Sequence, residues 1–281
     1  MRRLLALLLL VPLVLAALGY ANAVSVPEMR QTRIAMRDWP ADAAPIRVAL
    51  LSDIHVQGPD MPPRRLARIV AQVNAAQPDL VLLAGDFVGD RFLRTKDYTA
   101  AEMTAPLANL SAPLGVYAVL GNHDHWHDAE TATDTIRAAL RDARITLLDN
   151  DVVQAGPLLL AGAGDSMTDH ADVPRIVRQA MRRPGPILAF AHSPDVVPDL
   201  PPRFRTVLAG HTHCGQIVLP ALGAIVIPSR YGDRFACGVR REGDRSIVVS
   251  SGLGTSIVPI RFGAPPDWWL ITLGPADAAK R

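Results

Sequence analysis

Two cysteines in 281 residues, Cys214 and Cys237, exclude a disulfide-rich scaffold and a zinc site built from cysteine alone. They could form one bridge in an exported domain, but sequence does not give the pairing geometry. Neither sign of charge prevails. Lys and Arg number 29 against 27 Asp and Glu, leaving +2, so no electrostatic case for a nucleic-acid partner can be built. There is no internal repeat and, beyond the N-terminal leucines, no low-complexity tract. One stretch lacks charge altogether: after Arg2 and Arg3 no charged residue appears before Glu28.

That uncharged stretch is long enough for two readings. A signal peptide has a basic start, an apolar core of about 7–15 residues and a small-residue cleavage site, which Ala21-Asn22-Ala23 would supply. A membrane span needs about 20 apolar residues, and Leu4–Val24 provides them despite Pro12. The length favours an uncleaved anchor over residues 1–26, with the paired arginines on the cytoplasmic side and the remaining chain across the membrane.

What remains has 49% hydrophobic and 20% charged residues over the whole chain, the balance of a globular protein with an apolar bias. A polar connector over 27–44 leads to a domain over 45–275, and 276–281 form a tail. Buried strands are expected at "IRVALLSD", "DLVLLAGD", "GVYAVLGNHD", "PILAFAHS" and "RTVLAGHTH", and near 145–148, 151–154 and 157–162. Helices are expected after Pro62 and near 97–110, 129–142 and 172–182. The C-terminal third turns to strands and Gly/Pro turns, chiefly "GAIVIPS", "SIVVSSGLG" and "DWWLITL". No linker interrupts the alternation, so one α/β domain with two sheets is the economical reading.

Polar residues gather at one place, the carboxyl ends of the apolar strands, where α/β sheets bind ligands. They are Asp53 and His55 in "SDIH", Asp86 in "GD", Asn122, His123 and Asp124 in "GNHD", His192 in "AHSP", and His211 and His213 in "GHTH". Five of the eight histidines sit at such ends. Burying these groups together without a metal would cost on the order of several kcal/mol in unpaired polar atoms. Carboxylates, imidazoles and one amide suit divalent Mn, Fe or Zn better than Ca or Mg. There are more ligands than one four-coordinate ion needs. Two ions about 3.5–4 Å apart, sharing a carboxylate, would use them all, clamp a phosphoryl group and activate water.

The blocks D-x-H, G-D, G-N-H-D, a solitary H and G-H-x-H, in this order over 53–213, resemble the calcineurin-like metallophosphoesterases. The N-terminal apolar stretch, "AGHTHCGQIVLP" and "SSGLGTSIVPIRFG" look like that family's membrane-associated bacterial branch. That branch includes YkuE-like phosphoesterases and UDP-2,3-diacylglucosamine pyrophosphatases of lipid A synthesis. The resemblance covers about 45–275 and implies a four-layer α/β/β/α sandwich of two mixed sheets. It implies one metal at Asp53, His55, Asp86 and His213 and another at Asp86, Asn122, His192 and His211, with Asp86 bridging. His123 matches the catalytic histidine, oriented by Asp124.

The implied activity is hydrolysis of a phosphoester or pyrophosphate bond, in a small-molecule or lipid-linked substrate such as UDP-2,3-diacylglucosamine. A nuclease or nucleotide phosphodiesterase with the same chemistry and a non-catalytic metal-binding scaffold are the alternatives. The implied address is the bacterial inner membrane with a periplasmic domain, or export as a soluble protein after signal cleavage. Of the other candidates, His125, His127 and His170 read as exposed loop histidines. Arg91, Arg94, Arg230 and Arg234 could meet substrate phosphates. Asp165 reads as a turn or capping residue, Trp268 and Trp269 as core, and Cys214 as a small residue packed beside the site.

Overall fold

The computed structural model describes residues 2–89, 92–125 and 130–275. Two six-stranded sheets carry the fold. The first orders β1 (Glu28–Ala35), β14 (Asp267–Gly274), β2 (Ile46–Leu51), β3 (Leu80–Ala84), β4 (Val116–Val119) and β5 (Thr146–Leu147). The second orders β12 (Gly238–Glu242), β13 (Arg245–Val249), β9 (Thr206–Ala209), β8 (Ile187–Phe190), β7 (Leu158–Gly162) and β6 (Asp151–Ala155). A hairpin of β10 (Val218–Leu219) and β11 (Gly223–Ala224) stands apart. Both sheets are mixed: β2, β3, β4 and β5 run parallel while β14 runs antiparallel to β2, and β7, β8, β9 and β13 run parallel with antiparallel β6 and β12 at the edges.

The period of two along each strand builds the layers. In β2, Val48 and Leu50 face the second sheet, packing with Leu160, Leu188, Phe190, Leu208 and Val248. Ala49 and Leu51 face the other way, toward Leu66, Ile69, Val70 and Val73 of α2 (Pro63–Ala75) and Leu140 of α4 (Glu130–Asp142). On the second sheet Ile187 and Ala189 turn outward to Ile176 and Ala180 of α5 (Val173–Met181). Helix, sheet, sheet and helix follow one another, the α/β/β/α sandwich expected. Trp268 and Trp269, adjacent in β14, are both buried, one in each of these cores.

Proline and capping chemistry set the helix limits. Pro63 opens α2 where no N–H is needed. The Asp172 side chain accepts from the Arg175 N–H to start α5. The helix expected over 97–110 is broken by Pro106 into α3 (Ala100–Thr104) and a single 3₁₀ turn at Leu107–Asn109. "GAIVIPS" yields only the two residues of β11.

The N-terminal region departs most from expectation. The stretch read as a connector contains β1, which pairs in parallel with β14 over eight positions. Its strand character was hidden because it is an edge strand whose side chains are mostly polar and exposed. The membrane anchor is overturned: among the described residues, no helix is long and apolar enough to cross a membrane. Helix α1 (Arg2–Ala23) exists, but its last turn belongs to the domain. The Gly19 carbonyl accepts from the Arg261 N–H, and Asn22 donates to the Arg261 carbonyl. Ala23 is fully buried, and its carbonyl accepts from the buried Arg65 guanidinium. Residues used in this docking are not available to a bilayer. The membrane as partner, the transmembrane description and the inner-membrane address with its periplasmic orientation all depended on that anchor and fall with it. The expected cleavage site, Ala21–Ala23, lies inside this docked turn.

Candidate metal centre

Five loops leave the carboxyl ends of β2, β3, β4, β8 and β9 and converge at one edge of the sandwich. The approach is close enough to dictate glycine: a Cβ on Gly85, whose φ is +78°, would come within 2.8 Å of the Gly121 Cα. The side chains at these loops pay in backbone strain. Asp53, His55, Asp86, His211 and His213 all have φ between 47° and 70°, a region that costs a non-glycine residue about 1–3 kcal/mol. Five such residues at one edge is the mark of a site over-determined by its surroundings.

Asp86 is the centre. Its Oδ2 lies 3.3 Å from His192 Nε2, 3.5 Å from His55 Nε2 and 4.0 Å from His123 Nε2, while its Oδ1 accepts the His123 backbone N–H at 2.9 Å. To one side, His213 Nε2 is 3.3 Å from His55 Nε2 and 3.5 Å from Asp53 Oδ1. To the other, His192 Nε2 is 2.9 Å from Asn122 Oδ1 and 3.0 Å from His211 Nδ1. Asp53 accepts the His211 backbone N–H at 3.0 Å, which ties the two sides together. Every one of these side chains is buried.

The ring orientations are fixed from behind. His55 Nδ1 meets the Val88 carbonyl and His192 Nδ1 the Ala84 carbonyl, each at 2.8 Å. A carbonyl can only accept, so Nδ1 carries a proton and Nε2 is the nitrogen turned inward. Asp124 accepts backbone N–H groups from Asp86, Phe87, Val88 and Gly121, pinning the "GD" loop to the "GNHD" loop.

The electrostatics ask for a cation. Burial raises the Asp53 carboxyl to about 6, against the pull of His192. Burial also pushes Asp86 up, but His192, His123 and His55 outweigh it and hold Asp86 well below the usual carboxylate range. Burial disfavours charge on His192, yet Asp86 and Asp53 hold its pKa well above the ordinary value. On the flanks, burial lowers His211 to about 4 and, with His55 and Arg261, holds His213 well below its ordinary value. Imidazole nitrogens facing one another at 3.0 and 3.3 Å, beside two buried carboxylates, form donor clusters able to coordinate divalent metal ions. Asp53–His55–His213 and Asp86–His192–His211 are two such clusters, and His55–Asp86–His123 is a third.

The site opens into a cavity of about 410 Å³. Asp86, Asn122, His123, His211 and His213 form its floor. Its walls are apolar: Met167, Ile217, Ile225, Val226, Pro228, Ile257 and Val258.

A calcineurin-like phosphoesterase profile matches residues 46–215, which span all five loops. The chain belongs to that family. It is 30% identical over 280 residues to a transmembrane protein with metallophosphoesterase domain from Danio rerio, covering 92% of this chain and 60% of the relative. The chain thus spans less than two thirds of that protein. The phosphodiesterase YaeI of Escherichia coli strain K12 is 31% identical over 240 residues, 83% of each chain. The metallophosphoesterase YkuE of Bacillus subtilis strain 168 is 29% identical over 217 residues, 74% of this chain and 72% of its own. Family membership gives the chain a metallophosphoesterase catalytic fold, and its His and Asp clusters are candidate dinuclear metal-binding sites.

The remaining sequence candidates fall elsewhere. Arg94 pairs with Asp97, and Arg234 spends its fork on Glu242 at 2.7 and 2.8 Å. Arg230 donates to the Ser166 carbonyl at the edge of a second cavity. Asp165 is buried and accepts from the Thr168 N–H and hydroxyl, the turn role expected. His170 is an exposed loop histidine as expected, whereas His125 is half-buried: the two rings stack at 3.8 Å, and burial lowers His125 to about 4. Arg91 and His127 lie outside the described residues. Cys214 is not merely a small packing residue: it is bonded to Cys237, with Cα atoms 4.8 Å apart.

One residue escaped the sequence entirely. Arg261 is fully buried, and its guanidinium reaches His213 Nδ1 at 3.3 Å. Burial lowers its pKa to about 10, which leaves it charged at neutral pH. The only signal was a lone arginine among apolar residues in "SIVPIRFG".

Proposed function

We propose that the protein is a dinuclear-metal phosphodiesterase whose substrate carries an apolar arm beside the scissile phosphate. The observation that supports the first part is Asp86 Oδ2, flanked by His55 Nε2 at 3.5 Å and His192 Nε2 at 3.3 Å, so that one carboxylate oxygen serves two ligand groups. Asp53, His55 and His213 would hold one ion, Asn122, His192 and His211 the other, and Asp86 both. When bound, such ions supply Lewis acidity toward the phosphoryl oxygens and a nucleophile at neutral pH.

The chain's own residues do the rest. His123 lines the cavity floor beside Asp86, where its ring would donate to a phosphoryl or leaving oxygen. Asp86 and Asp124 position it through the backbone, the former by accepting the His123 N–H and the latter by pinning the loop. The apolar walls exclude water around the reacting group and offer a surface to acyl, prenyl or similar substituents.

Among the readings open from sequence, the phosphodiesterase reading gains from a relative bearing that name. UDP-2,3-diacylglucosamine belongs to the apolar-armed class as one pyrophosphate candidate. The test is hydrolysis by metal-stripped protein resupplied with Mn(II). Bis(p-nitrophenyl) phosphate, a nucleotide phosphodiester and UDP-2,3-diacylglucosamine are compared, with Asp86→Ala as control. Diester cleavage that needs Mn(II) and Asp86 supports the reading; full activity in Asp86→Ala ends it.

A further inference from the structure

The two halves of the centre are supported differently from behind. His55 and His192 each place Nδ1 against a carbonyl oxygen, which draws the proton outward and strengthens the inward nitrogen as a ligand. His213 Nδ1 instead faces Arg261 Nη2 at 3.3 Å. A guanidinium has only donors, so it pulls electron density out of the ring and opposes what the carbonyls do for the other histidines. Arg261 is also a fixed positive charge. Nη2 donates to the carbonyls of Ser251 and Gly252 at 2.7 and 3.2 Å and of Gly254 at 2.6 Å, and Nη1 donates to the Ala264 carbonyl at 2.9 Å. A side chain held by four carbonyls does not swing away when a cation arrives.

Charge accounting then runs against first expectation. Beyond the shared Asp86, the His213 half owns a carboxylate, Asp53, and the His192 half owns only the neutral amide of Asn122. On ligands alone the Asp53 half would bind a divalent cation more tightly. Arg261, whose charge is shared with Asp267, offsets part of that carboxylate's charge and weakens His213 besides.

We propose that the two positions load unequally, with the Asp86–Asn122–His192–His211 position filling first and the Asp53–His55–His213 position remaining weak and exchangeable because Arg261 stands behind His213. The inference rests on the two-metal reading above. It makes Arg261 a positioning and tuning residue, and its removal should tighten metal binding, where a merely structural role predicts loss.

The experiment is calorimetric titration of the metal-stripped full chain with Mn(II). The expected result is two events separated by at least tenfold in Kd, with His213→Ala abolishing the weaker and His192→Ala the tighter. In Arg261→Met the weaker event should tighten several-fold and the gap should narrow. If Arg261→Met does not fold, the assignment by the two histidine variants decides alone. Two equal events, or loss of the tighter event in His213→Ala, overturns the inference and leaves the two-metal reading standing. Uptake of fewer than two ions per chain overturns both.

Discussion

Cys214, the residue after the buried His213, is covalently joined to Cys237, 23 positions along the chain. The bridge spans the apolar wall and the 3₁₀ turn at Gly232–Phe235, and the Thr212 hydroxyl donates to the Ala236 carbonyl beside it. Closing a loop of this length stabilises by about 3 kcal/mol in the chain-entropy account. Cys237→Ser should therefore lower Tm and raise KM, since the wall residues Ile217, Ile225, Val226 and Pro228 lie within the closed loop. Unfolding followed with and without reductant checks the first effect, and steady-state kinetics the second. An unchanged Tm in both would show that the bridge does not form in solution.

His123 lies 4.0 Å from Asp86 Oδ2 and lines the cavity. His123→Asn should lower kcat by roughly 10²- to 10⁴-fold, the range for a positioned proton donor. Metal content, measured by elemental analysis, should stay at the wild-type value. Loss of metal together with activity would instead make His123 a ligand.

Ile225 and Val226 are strongly exposed on the cavity wall, 61% and 66% respectively. A substrate arm covering one such side chain gains about 1.5 kcal/mol. Ile225→Ser should then raise KM roughly tenfold for an acylated phosphodiester. Its activity toward bis(p-nitrophenyl) phosphate should change little. Equal effects on both substrates would remove the apolar arm from the proposal.

In the metal-free protein, stability between pH 7 and 4.5 is a balance of opposed contributions. His211 and the half-exposed His125 are lowered to about 4 and His213 is held well below its ordinary value, so each stays neutral in the fold over much of this window. In the unfolded chain they protonate below about 6.5, and stability that is full above that value is lost as the pH falls. Asp53, raised to about 6, Asp124, raised to about 7, and His192, held well above its ordinary value, act with the opposite sign, because their contributions are full at low pH and lost as the pH rises through their folded values. His211→Asn removes one contribution from the first side, so its stability at pH 4.5 relative to pH 7 should be higher than the wild type's, readable by urea unfolding at the two pH values. Mn(II) should stabilise the protein more at pH 7 than at pH 5, since metal and protons compete for the same ligands.

The strands and the residues at their ends were legible because both follow short-range rules. "DLVLLAGD" is an apolar run of strand length, and a carboxylate directly after it has little freedom in where it points. Features set by distant backbone were not legible. Arg261 finds its partners in carbonyls of an irregular turn, which no periodicity announces. The Cys214–Cys237 bridge depends on the path of a loop, and β1 is an edge strand whose polar residues look like a linker. Helix α1 misled for another reason. Hydropathy measures what a segment could bury, and whether its last turn packs on protein is a tertiary fact.

The position of β14 has a consequence for biosynthesis. This strand, at residues 267–274, lies between β1 and β2, so these two strands, synthesised well before it, share the sheet only once it arrives. A nascent chain stopped before residue 267 presents two unpaired strand edges and the apolar face that Trp268 and Trp269 would cover. Completion of the first sheet, and with it the seating of the Asp53 loop at the end of β2, therefore waits for residues 267–274 to leave the ribosome. The intermediate before that moment is the state most exposed to aggregation and most in need of a chaperone.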